Sequence, residues 1–586
     1  MEVLTMFVKK NSAKNGRILL TLTRSYRENG KVKQKHVEVL GYLDELEKVY
    51  PDPIAHFKEI AKQRTEEEAR SSEPIQFTFD PSIKISDQEI GLKNLGYVFF
   101  EKIYHELGIH TFFKRHENRL NIDFNLNSIF RLLVYSRVLY PGSKKEAFEQ
   151  QNRFFETYAP SLDSVYRSLD YYDRFSLDLQ AWLNDVIQKQ YGRDQELAYY
   201  DVTNYYFEID EEDELRRKGP SKEKRPNPIV QMGLLLDSKG LPLAFHLFPG
   251  NQSEKLSLNP IMNRVKEEYG LGRLVVVADK GLNCGDNIAY QIASGNGYVY
   301  SQSIRGADQE FKQYVLDQSG YQANGEHSKC KSRIYPREIT FTDSRGKKQK
   351  QRVDQKQVVF FSQDYADKAK YERNRIIAKA QKYLKTPSAL AHSISYSAAS
   401  YIKGIQINSD GEIVEANTKL YLDMDKIREE EKYDGYYAIV TSELDRSDSE
   451  IIDIYHNLWK IEETFKISKS ELKTRPVHVT LEAHIEAHFL TCFVALLLIR
   501  VLELKMNQAS LPAPSCETEN QKLTFSAFEL TNSIRNYTCS SLGENLYNFH
   551  YTDDVIQSLE KVFGIDLSKK YRTRGDIKKI IANAKK

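Results

Sequence analysis

The chain has 586 residues, of which 28% are charged and 40% hydrophobic. This length accommodates several domains, and the composition excludes a disordered chain and a membrane-embedded one. The formal net charge is only +2, but positive charge is concentrated in residues 1–40, 329–356 and 569–586. Three basic segments in a nearly neutral chain indicate a polyanionic partner bound at several places, although a solvated surface explains any single segment equally well.

The five cysteines are scattered, odd in number and without a C-x-x-C pair. That pattern indicates a reducing compartment, with neither a disulfide framework nor a zinc ribbon. The first residues lack the apolar stretch of a signal peptide. The longest apolar run, 489–499, is too short to span a bilayer and predicts a buried core helix. We therefore expect a cytoplasmic protein with no membrane partner.

Residues 17–43 predict two strands joined at Asn29-Gly30, a residue pair typical of tight hairpins. Lys31, Lys33 and Lys35 recur at every second position and so share one face of the second strand. That face suits DNA phosphates, or protects an exposed sheet edge. We assign 1–80 to this basic N-terminal region and its linker.

Residues 81–190 follow with apolar spacings of three and four, which predict helices. This region is a candidate DNA-binding domain, and a plain helical bundle would show the same pattern. From residue 197 the chain changes to segments rich in β-branched and aromatic residues. These predicted strands are 197–209, 229–237, 241–251, 274–281 and 297–303.

Predicted helices at 254–268 and 285–294 lie between the later strands. Strands that first run antiparallel and then alternate with helices predict an α/β layer fold. A polar, basic, hairpin-rich stretch at 304–430 interrupts the pattern, which resumes with a strand at 435–442. We therefore predict one catalytic core in two parts, 191–303 and 431–510, with a mostly β insertion at 304–430. The chain ends in a helical region with a basic tail, 511–586.

Two aspartates occupy unusual positions in the predicted strands. Asp201 shares a strand face with apolar and aromatic residues, where a carboxylate must be paired, protonated or bound to a metal. A structural pair with an arginine or tyrosine is the alternative. Asp279 follows a valine-rich strand, at the carboxyl end where open α/β sheets place ligands. A simple turn residue is the alternative there.

A glutamate provides the third candidate. One helix numbered from Ile451 places Tyr455, Leu458, Glu462 and Lys469 on one stripe, with Glu463 rotated by about 100° toward solvent. A pair between Glu462 and Lys466 is the alternative explanation. Trp459 lies beside the stripe; we predict core packing for it, with base stacking as the alternative.

Together the three carboxylates supply the oxygen ligands that a hard divalent cation requires. Two such ions, about 4 Å apart, can activate an attacking oxygen and stabilise a leaving oxygen at phosphorus. His484, His488 and Cys492 also recur at helical spacing, but i and i+8 lie about 12 Å apart along a helix. We therefore predict core packing for those three residues.

The segments "YYDVTNYYFE", "VVVADKGL" and "YHNLWKIEETFKISKSELKTRP" resemble the three acidic motifs of bacterial insertion-sequence DDE transposases. The resemblance is to the IS-four-like group, whose signature is Tyr-x2-Arg-x3-Glu-x6-Lys. It places the signature on Tyr455, Leu458, Glu462 and Lys469, with leucine where the signature has arginine. Lys460, Lys466 or Arg475 could supply the missing cation. The resemblance covers about residues 190–505 and is weaker in the N-terminal hairpin.

The resemblance implies an RNase H-like catalytic domain in which Asp201, Asp279 and Glu462 bind two Mg²⁺ ions, with Mn²⁺ as a possible substitute. It further implies double-stranded DNA as partner, at the element's terminal inverted repeats and at the target. Tyr455, Lys460, Lys466, Lys469 and Arg475 would contact that DNA. Paired ends imply a homodimer in the synaptic complex. A transposase-derived DNA-binding protein and a metal-dependent nuclease without strand transfer are the alternatives.

Overall fold

A computed structural model describes most of the chain, and it divides into two units, Met1–Glu89 and Ile90–Lys586. The described residues are 2–12, 16–28, 31–70, 82, 84, 91–156, 158, 160–193, 196–221, 225–385, 398, 400–407, 413–509, 525–543 and 545–586.

The first unit is a three-stranded antiparallel sheet followed by a helix. Its elements are β1 (Glu2–Ser12), β2 (Ile18–Glu28), β3 (Lys31–Tyr42), α1 (Leu43–Leu46) and α2 (Pro53–Arg70). The predicted hairpin strands pair as β2 and β3, with Glu28 opposite Lys31, and β1 adds a strand that the sequence pattern did not reveal. Asn29-Gly30 lies outside the described residues. Lys33 and Lys35 are exposed on β3, an edge strand.

The second unit begins with helices, as the spacing between residues 90 and 195 predicts. They are α3 (Val98–Glu106), α4 (Ile109–Glu117), α5 (Leu126–Leu139), α6 (Lys144–Glu149), α7 (Leu162–Arg174) and α8 (Ser176–Tyr191), preceded by the short strand β4 (Lys93–Asn94). These helices pack in one continuous apolar core that also includes the sheet described next.

A nine-stranded sheet, counted over the described residues, forms the centre of this unit. Its first strands and helices are β5 (Leu197–Tyr206), β6 (Ile229–Leu236), β7 (Pro242–Pro249), α9 (Leu258–Tyr269), β8 (Val275–Ala278), α10 (Gly285–Ala293) and β9 (Gly297–Gln302). They lie in the order β7-β6-β5-β8-β9, with β5, β8 and β9 parallel and the other neighbours antiparallel. This arrangement fits an RNase H-like fold, and it places the carboxyl end of β8 beside the middle of β5, since Tyr199 pairs with Val277.

The predicted insertion does not form a separate body throughout. It contains α11 (Gln309–Leu316), β10 (Gln322–Ala323), β11 (Ser328–Thr342), β12 (Lys348–Ser362), α12 (Gln363–Lys385), β13 (Ile402–Ile407), β14 (Ile413–Leu422) and α13 (Met424–Glu431), and β15 (Tyr436–Thr441) follows it. Strands β10, β11 and β12 extend the central sheet, because the buried run Val358–Phe360 of β12 pairs with β15 beside β9. The described residues between Gln363 and Asp434 lie outside this sheet and have a small core of their own, which includes Ala380 and Ile427.

The glutamate motif follows β15 on α14 (Asp448–His456) and α15 (Trp459–Ser470), and the long helix α16 (Glu482–Gln508) comes next. Among the described residues, α16 is the one helix long and apolar enough to cross a membrane, but 89% of its most apolar window is buried inside the protein. The apolar run 489–499 is therefore a core helix, as predicted.

The C-terminal region adds three strands to the expected helices. Its elements are α17 (Ala527–Asn536), β16 (Thr538–Gly543), β17 (Leu546–Phe549), α18 (Asp554–Phe563), β18 (Tyr571–Thr573) and α19 (Arg574–Ala584). The strands join β4 in a second sheet of order β18-β17-β16-β4. Lys585, near the end of the chain, reaches Glu156 in the helical part at 2.5 Å.

Candidate active site

Asp201 lies on the face of β5 that α14 and α15 cover. On the same face the Tyr199 hydroxyl donates to the carbonyl of Ile454 at 3.1 Å, and Lys469 Nζ donates to Thr203 Oγ1 at 2.5 Å. Tyr205 reaches Ser468 at 2.9 Å. Asp201 stands between these contacts and is half-buried. The expected aromatic and apolar face is therefore present, but Asp201 borders solvent instead of lying sealed within the core.

Asp279 occupies the matching position on the neighbouring parallel strand. Tyr199 pairs with Val277, so two further residues along each chain bring Asp201 and Asp279 to the same level. Asp279 is exposed, and Ser301 of β9 donates its hydroxyl to Asp279 Oδ1 at 2.7 Å. The sequence analysis missed Ser301. The parallel register would have found it, because Ala278 pairs with Tyr300 and Asp279 therefore lies beside Ser301.

The single helix expected from Ile451 to Lys469 is wrong, because the structure contains two helices. At the join Leu458 N–H donates to the Tyr455 carbonyl at 3.0 Å, and Ile461 N–H to the Leu458 carbonyl at 3.1 Å. These i to i+3 bonds wind the backbone more tightly than an α-helix and rotate every later side chain relative to Tyr455. Glu462 is consequently exposed, outside the buried stripe on which it was predicted.

The buried side of α15 consists of Ile461, Thr464, Phe465, Ile467 and Ser468. Glu462, Lys466 and Lys469 form an adjoining stripe at steps of four and three. Since Lys469 contacts Thr203 and α15 advances about 1.5 Å per residue, Glu462 lies about 10 Å back along the helix, level with the part of β5 around Asp201. Within the described residues the carboxylate of Glu462 has no hydrogen bond or ion pair.

Glu463 links two helices, a role that the sequence did not predict. Arg500 of α16 donates to Glu463 Oε2 at 3.1 Å and to Thr464 Oγ1 at 2.7 Å. Arg500 also binds Glu503 at 2.8 Å. The expectation that Glu463 faces solvent is therefore wrong, since its carboxylate pairs α15 with α16.

Tyr455 lies between the aspartate edge and the glutamate helix. Burial raises the pKa of Tyr455 to about 12, and the carboxylates of Asp279 and Glu462 add to the increase, while a hydrogen bond with Ser301 opposes it. The same tyrosine lines a cleft of about 310 Å³ beside Asp279. Tyr455 thus carries a neutral hydroxyl at physiological pH, near two of the three acidic residues.

The predicted cations do not all reach this region. Lys466 is exposed on the stripe of Glu462, and Arg475 lies 5.8 Å from the ring of Tyr206 at the end of β5. Lys460 instead donates to the Ser238 carbonyl at 2.7 Å, in the β6–β7 turn at the opposite end of β5. The structure therefore keeps Lys466 and Lys469 on the stripe of Glu462 and places Arg475 near the carboxyl end of β5, while Lys460 reaches the turn at the other end of that strand.

Leu458 packs as expected, whereas Trp459 does not. Leu458, at the position of the signature arginine, is half-buried and packs against the main apolar core. Trp459 was predicted to pack in the core, but 54% of it is exposed because the tight turn between the helices directs it outward.

The three acidic residues have the type of oxygen ligand that a divalent cation needs, but their side chains are not close enough together to bind one ion. Within the described residues, no three His, Cys, Asp or Glu side chains lie close enough to hold one metal ion. Carboxylate oxygens that border solvent are nevertheless the ligands of hard cations, which retain water in their coordination shell. Asp201 and Asp279 would hold such an ion from adjacent strands, with Glu462 opposite.

Comparison with known proteins gives two matches. Residues 7–74 match the IS1634 family transposase N-terminal domain, which lies within the first unit. Residues 207–498 match the transposase DDE domain, which includes Asp279 and Glu462 and begins shortly after Asp201. No curated protein matches the chain. DDE transposases generally use divalent metal ions.

The two matched segments together span more than half of the chain, and they fall on the small N-terminal unit and on the RNase H-like core. The N-terminal match is to the IS1634 family, so membership of the IS-four-like group stays a prediction. The chain belongs to the insertion-sequence DDE transposases.

Proposed function

We propose that this transposase binds the terminal inverted repeats of its own element, cuts the DNA there and joins the freed 3′ ends to target DNA. The observation that carries the proposal is the parallel register of β5 and β8, which pairs Tyr199 with Val277. Continued by two residues, this register brings Asp201 in β5 beside Asp279, where β8 has just ended. The helix bearing Glu462 covers the same face of β5.

Asp201, Asp279 and Glu462 are the proposed catalytic residues and ligands of two Mg²⁺ ions. When bound, these ions supply Lewis acidity at phosphorus and a deprotonated attacking oxygen. The protein holds Asp279 in place through Ser301. Because the hydroxyl of Tyr455 stays protonated at neutral pH, it can donate a hydrogen bond to a phosphate oxygen. Lys466, Lys469 and Arg475 place positive charge along the same groove for the DNA backbone.

The reaction has two steps at one site. A water oxygen attacks the phosphodiester at the element's end, the P–O3′ bond breaks, and the 3′ oxygen takes up a proton to become a hydroxyl. That hydroxyl then attacks a phosphodiester of the target DNA, forms a new P–O bond and displaces another 3′ oxygen. Both steps need the attacking and leaving oxygens in line at phosphorus, so one active site can serve for both.

The exposed lysines of β3 and the basic outer half of the β11–β12 hairpin are the proposed contacts to the inverted repeats. On β12, Lys348, Lys350 and Arg352 alternate along one exposed strand face. We further propose that two copies of the chain pair the two ends, and that the protein acts in the cytoplasm. Size measurement with and without end-containing DNA tests the dimer.

The decisive experiment uses linear DNA that carries the element's ends. We expect Mg²⁺-dependent cleavage at those ends and joined products with a target plasmid. Asp201→Ala, Asp279→Ala and Glu462→Gln should each abolish both products while circular dichroism shows an intact fold. Cleavage by all three variants would refute the proposal, cleavage without joining would indicate a nuclease, and end binding without cleavage a DNA-binding protein.

A further inference from the structure

The loop that follows the glutamate helix, residues 471–476, is held from the helical part of the chain. Arg137 of α5 donates from Nη1 to the carbonyls of Leu472 and Lys473, at 3.3 and 3.2 Å. The next carbonyl, that of Thr474, lies 3.0 Å from His488 Nε2 on α16. Three consecutive carbonyls thus point toward side chains of the neighbouring helices α5 and α16.

The groups that hold this loop are buried. Arg137 and Lys144 are exposed by only 4% and 3%, and neither forms an ion pair within the described residues. Burial and the nearby cations lower the pKa of His488 well below its usual value, so the imidazole is neutral. Its Nε2–H donates to Thr474, and Nδ1 faces Lys144 Nζ at 3.4 Å.

A buried cation without a carboxylate partner is costly, so the contacts of Arg137 with the loop need a reason beyond stability. The second amino group of Arg137 donates to the Gly142 carbonyl at 2.7 Å, which fixes the guanidinium near the end of its own helix. Lys473 has a φ of 42°, a left-handed backbone that a side-chain-bearing residue adopts only when its surroundings enforce it. The contact of Arg137 with the Lys473 carbonyl is such an enforcement.

The loop is also tied to β5. Ser468, in the last turn of α15, contacts both Tyr205 at 2.9 Å and Thr474 at 3.1 Å. Lys469, the next residue, contacts Thr203. A displacement of the loop carbonyls would therefore move the end of α15, and with it Lys469, relative to Asp201 on the same strand.

We propose that Arg137 is a positioning residue for DNA cleavage: by holding the carbonyls of Leu472 and Lys473 it sets where Lys469 and Arg475 meet the DNA backbone. This inference rests on the proposed function, since it assumes that the groove along β5 holds DNA. A misplacement of about 1 Å at a reacting centre can cost about 100-fold in rate. A contact remote from the chemistry can therefore control cleavage.

The first test needs no DNA. Trypsin cuts after Lys473 only when the loop opens, so Arg137→Met should accelerate that cut at least about tenfold. Arg535→Met is the matched control. Arg535 also holds two carbonyls, those of Val138 and Leu139, but it does not touch the loop. Equal trypsin rates at Lys473 in the two variants would overturn the proposal.

The second test measures single-turnover cleavage of end-containing DNA against DNA concentration. For Arg137→Met we expect the rate at saturating DNA to fall about 10- to 100-fold, with little change in the half-saturating concentration. Arg137→Lys, which can still reach one carbonyl, should recover part of the rate, and Arg535→Met should match the wild type.

An open loop with an unchanged cleavage rate would overturn the positioning role. If the wild-type chain cuts no DNA at all, the proposed function fails and the role in cleavage with it. The trypsin comparison would still decide whether Arg137 fixes the loop, so the two failures are distinguishable.

Discussion

Two adjacent glutamates at the start of α15 should respond oppositely to the same isosteric change. Glu462 is exposed and its carboxylate has no hydrogen bond or ion pair within the described residues, whereas Glu463 accepts a hydrogen bond from Arg500. We expect Glu462→Gln to remove cleavage and leave stability unchanged. Glu463→Gln should lower stability and leave cleavage within about threefold of the wild type, since it points toward α16 and away from β5.

The size of the stability effect follows from the burial of the pair. Arg500 is 10% exposed and Glu463 39%, so solvent screens part of the interaction. Arg500 also keeps Glu503 and Thr464 as partners after the change. The loss of one charge-assisted hydrogen bond under these conditions costs about 1 kcal/mol. For a unit of about 500 residues this corresponds to about 1 °C in melting temperature.

The activity effect should be much larger. Even partners behind a metal ligand typically contribute about 10- to 100-fold, so the loss of a direct ligand should exceed about 100-fold. Single-turnover cleavage of end-containing DNA in Mg²⁺ measures this, and differential scanning calorimetry measures the melting temperature. Loss of cleavage in Glu463→Gln with normal cleavage in Glu462→Gln would refute the orientation of α15 described above.

Four further outcomes are expected. Ser301→Ala removes the hydroxyl that orients Asp279, so cleavage should fall about tenfold and need more Mg²⁺, as a metal titration would show. Lys469→Met should lower the salt dependence of DNA binding by about one unit of slope, measured by fluorescence anisotropy from low to high salt. Burial lowers the pKa of Lys144 to about 7 from 10.5, so the folded chain binds fewer protons than the unfolded one between those values. Stability should therefore rise with pH from 7 to 10, by up to about 1.4 kcal/mol per unit, and Lys144→Met should flatten that rise in thermal melts. Burial raises the pKa of Glu486 to about 7, so stability should instead be lost as pH rises from about 4.5 through 7, and Glu486→Gln should remove that loss.

The sequence predicted the strands that carry the two aspartates. The valine-rich run before Asp279 and the aromatic strand around Asp201 are strong local signals. It did not predict that these strands are parallel neighbours, because Tyr199 and Val277 pair across about 80 residues of chain. The contact of Ser301 with Asp279 depends on the same kind of pairing, between β8 and β9.

The orientation of the side chains on the glutamate helix could not be predicted from the sequence in this way. A periodicity of 3.6 residues assumes an unbroken helix, and two i to i+3 bonds at Leu458 and Ile461 are enough to change the direction of every later side chain. No residue there is a proline or glycine that would have signalled the join. The assignment of Glu462 to the catalytic site rests on the motif resemblance and stays a prediction, while its predicted burial and the predicted exposure of Glu463 were both wrong.

The number of strands in the central sheet also could not be predicted from short sequence segments. Residues 329–356 alternate charged and apolar side chains and resemble an exposed ribbon. The end of β12, residues 356–361, pairs with β15, which lies about 80 residues further along the chain. Such long-range pairing cannot be recognised in a short stretch of sequence. The buried segment Val358–Phe360 was the available clue, since three consecutive apolar residues favour a central strand over an edge.

The way residues 363–434 leave and rejoin the sheet bears on how such proteins tolerate changes in length. Ser362 N–H donates to the Gly435 carbonyl at 3.0 Å, and Phe361 pairs with Tyr436, so the excursion starts and ends at one rung of the ladder. Its length adds only slowly to the entropy of closing the loop. The segment could be shortened to a tight turn, or exchanged for a foreign module, without shifting the strands that carry the aspartates.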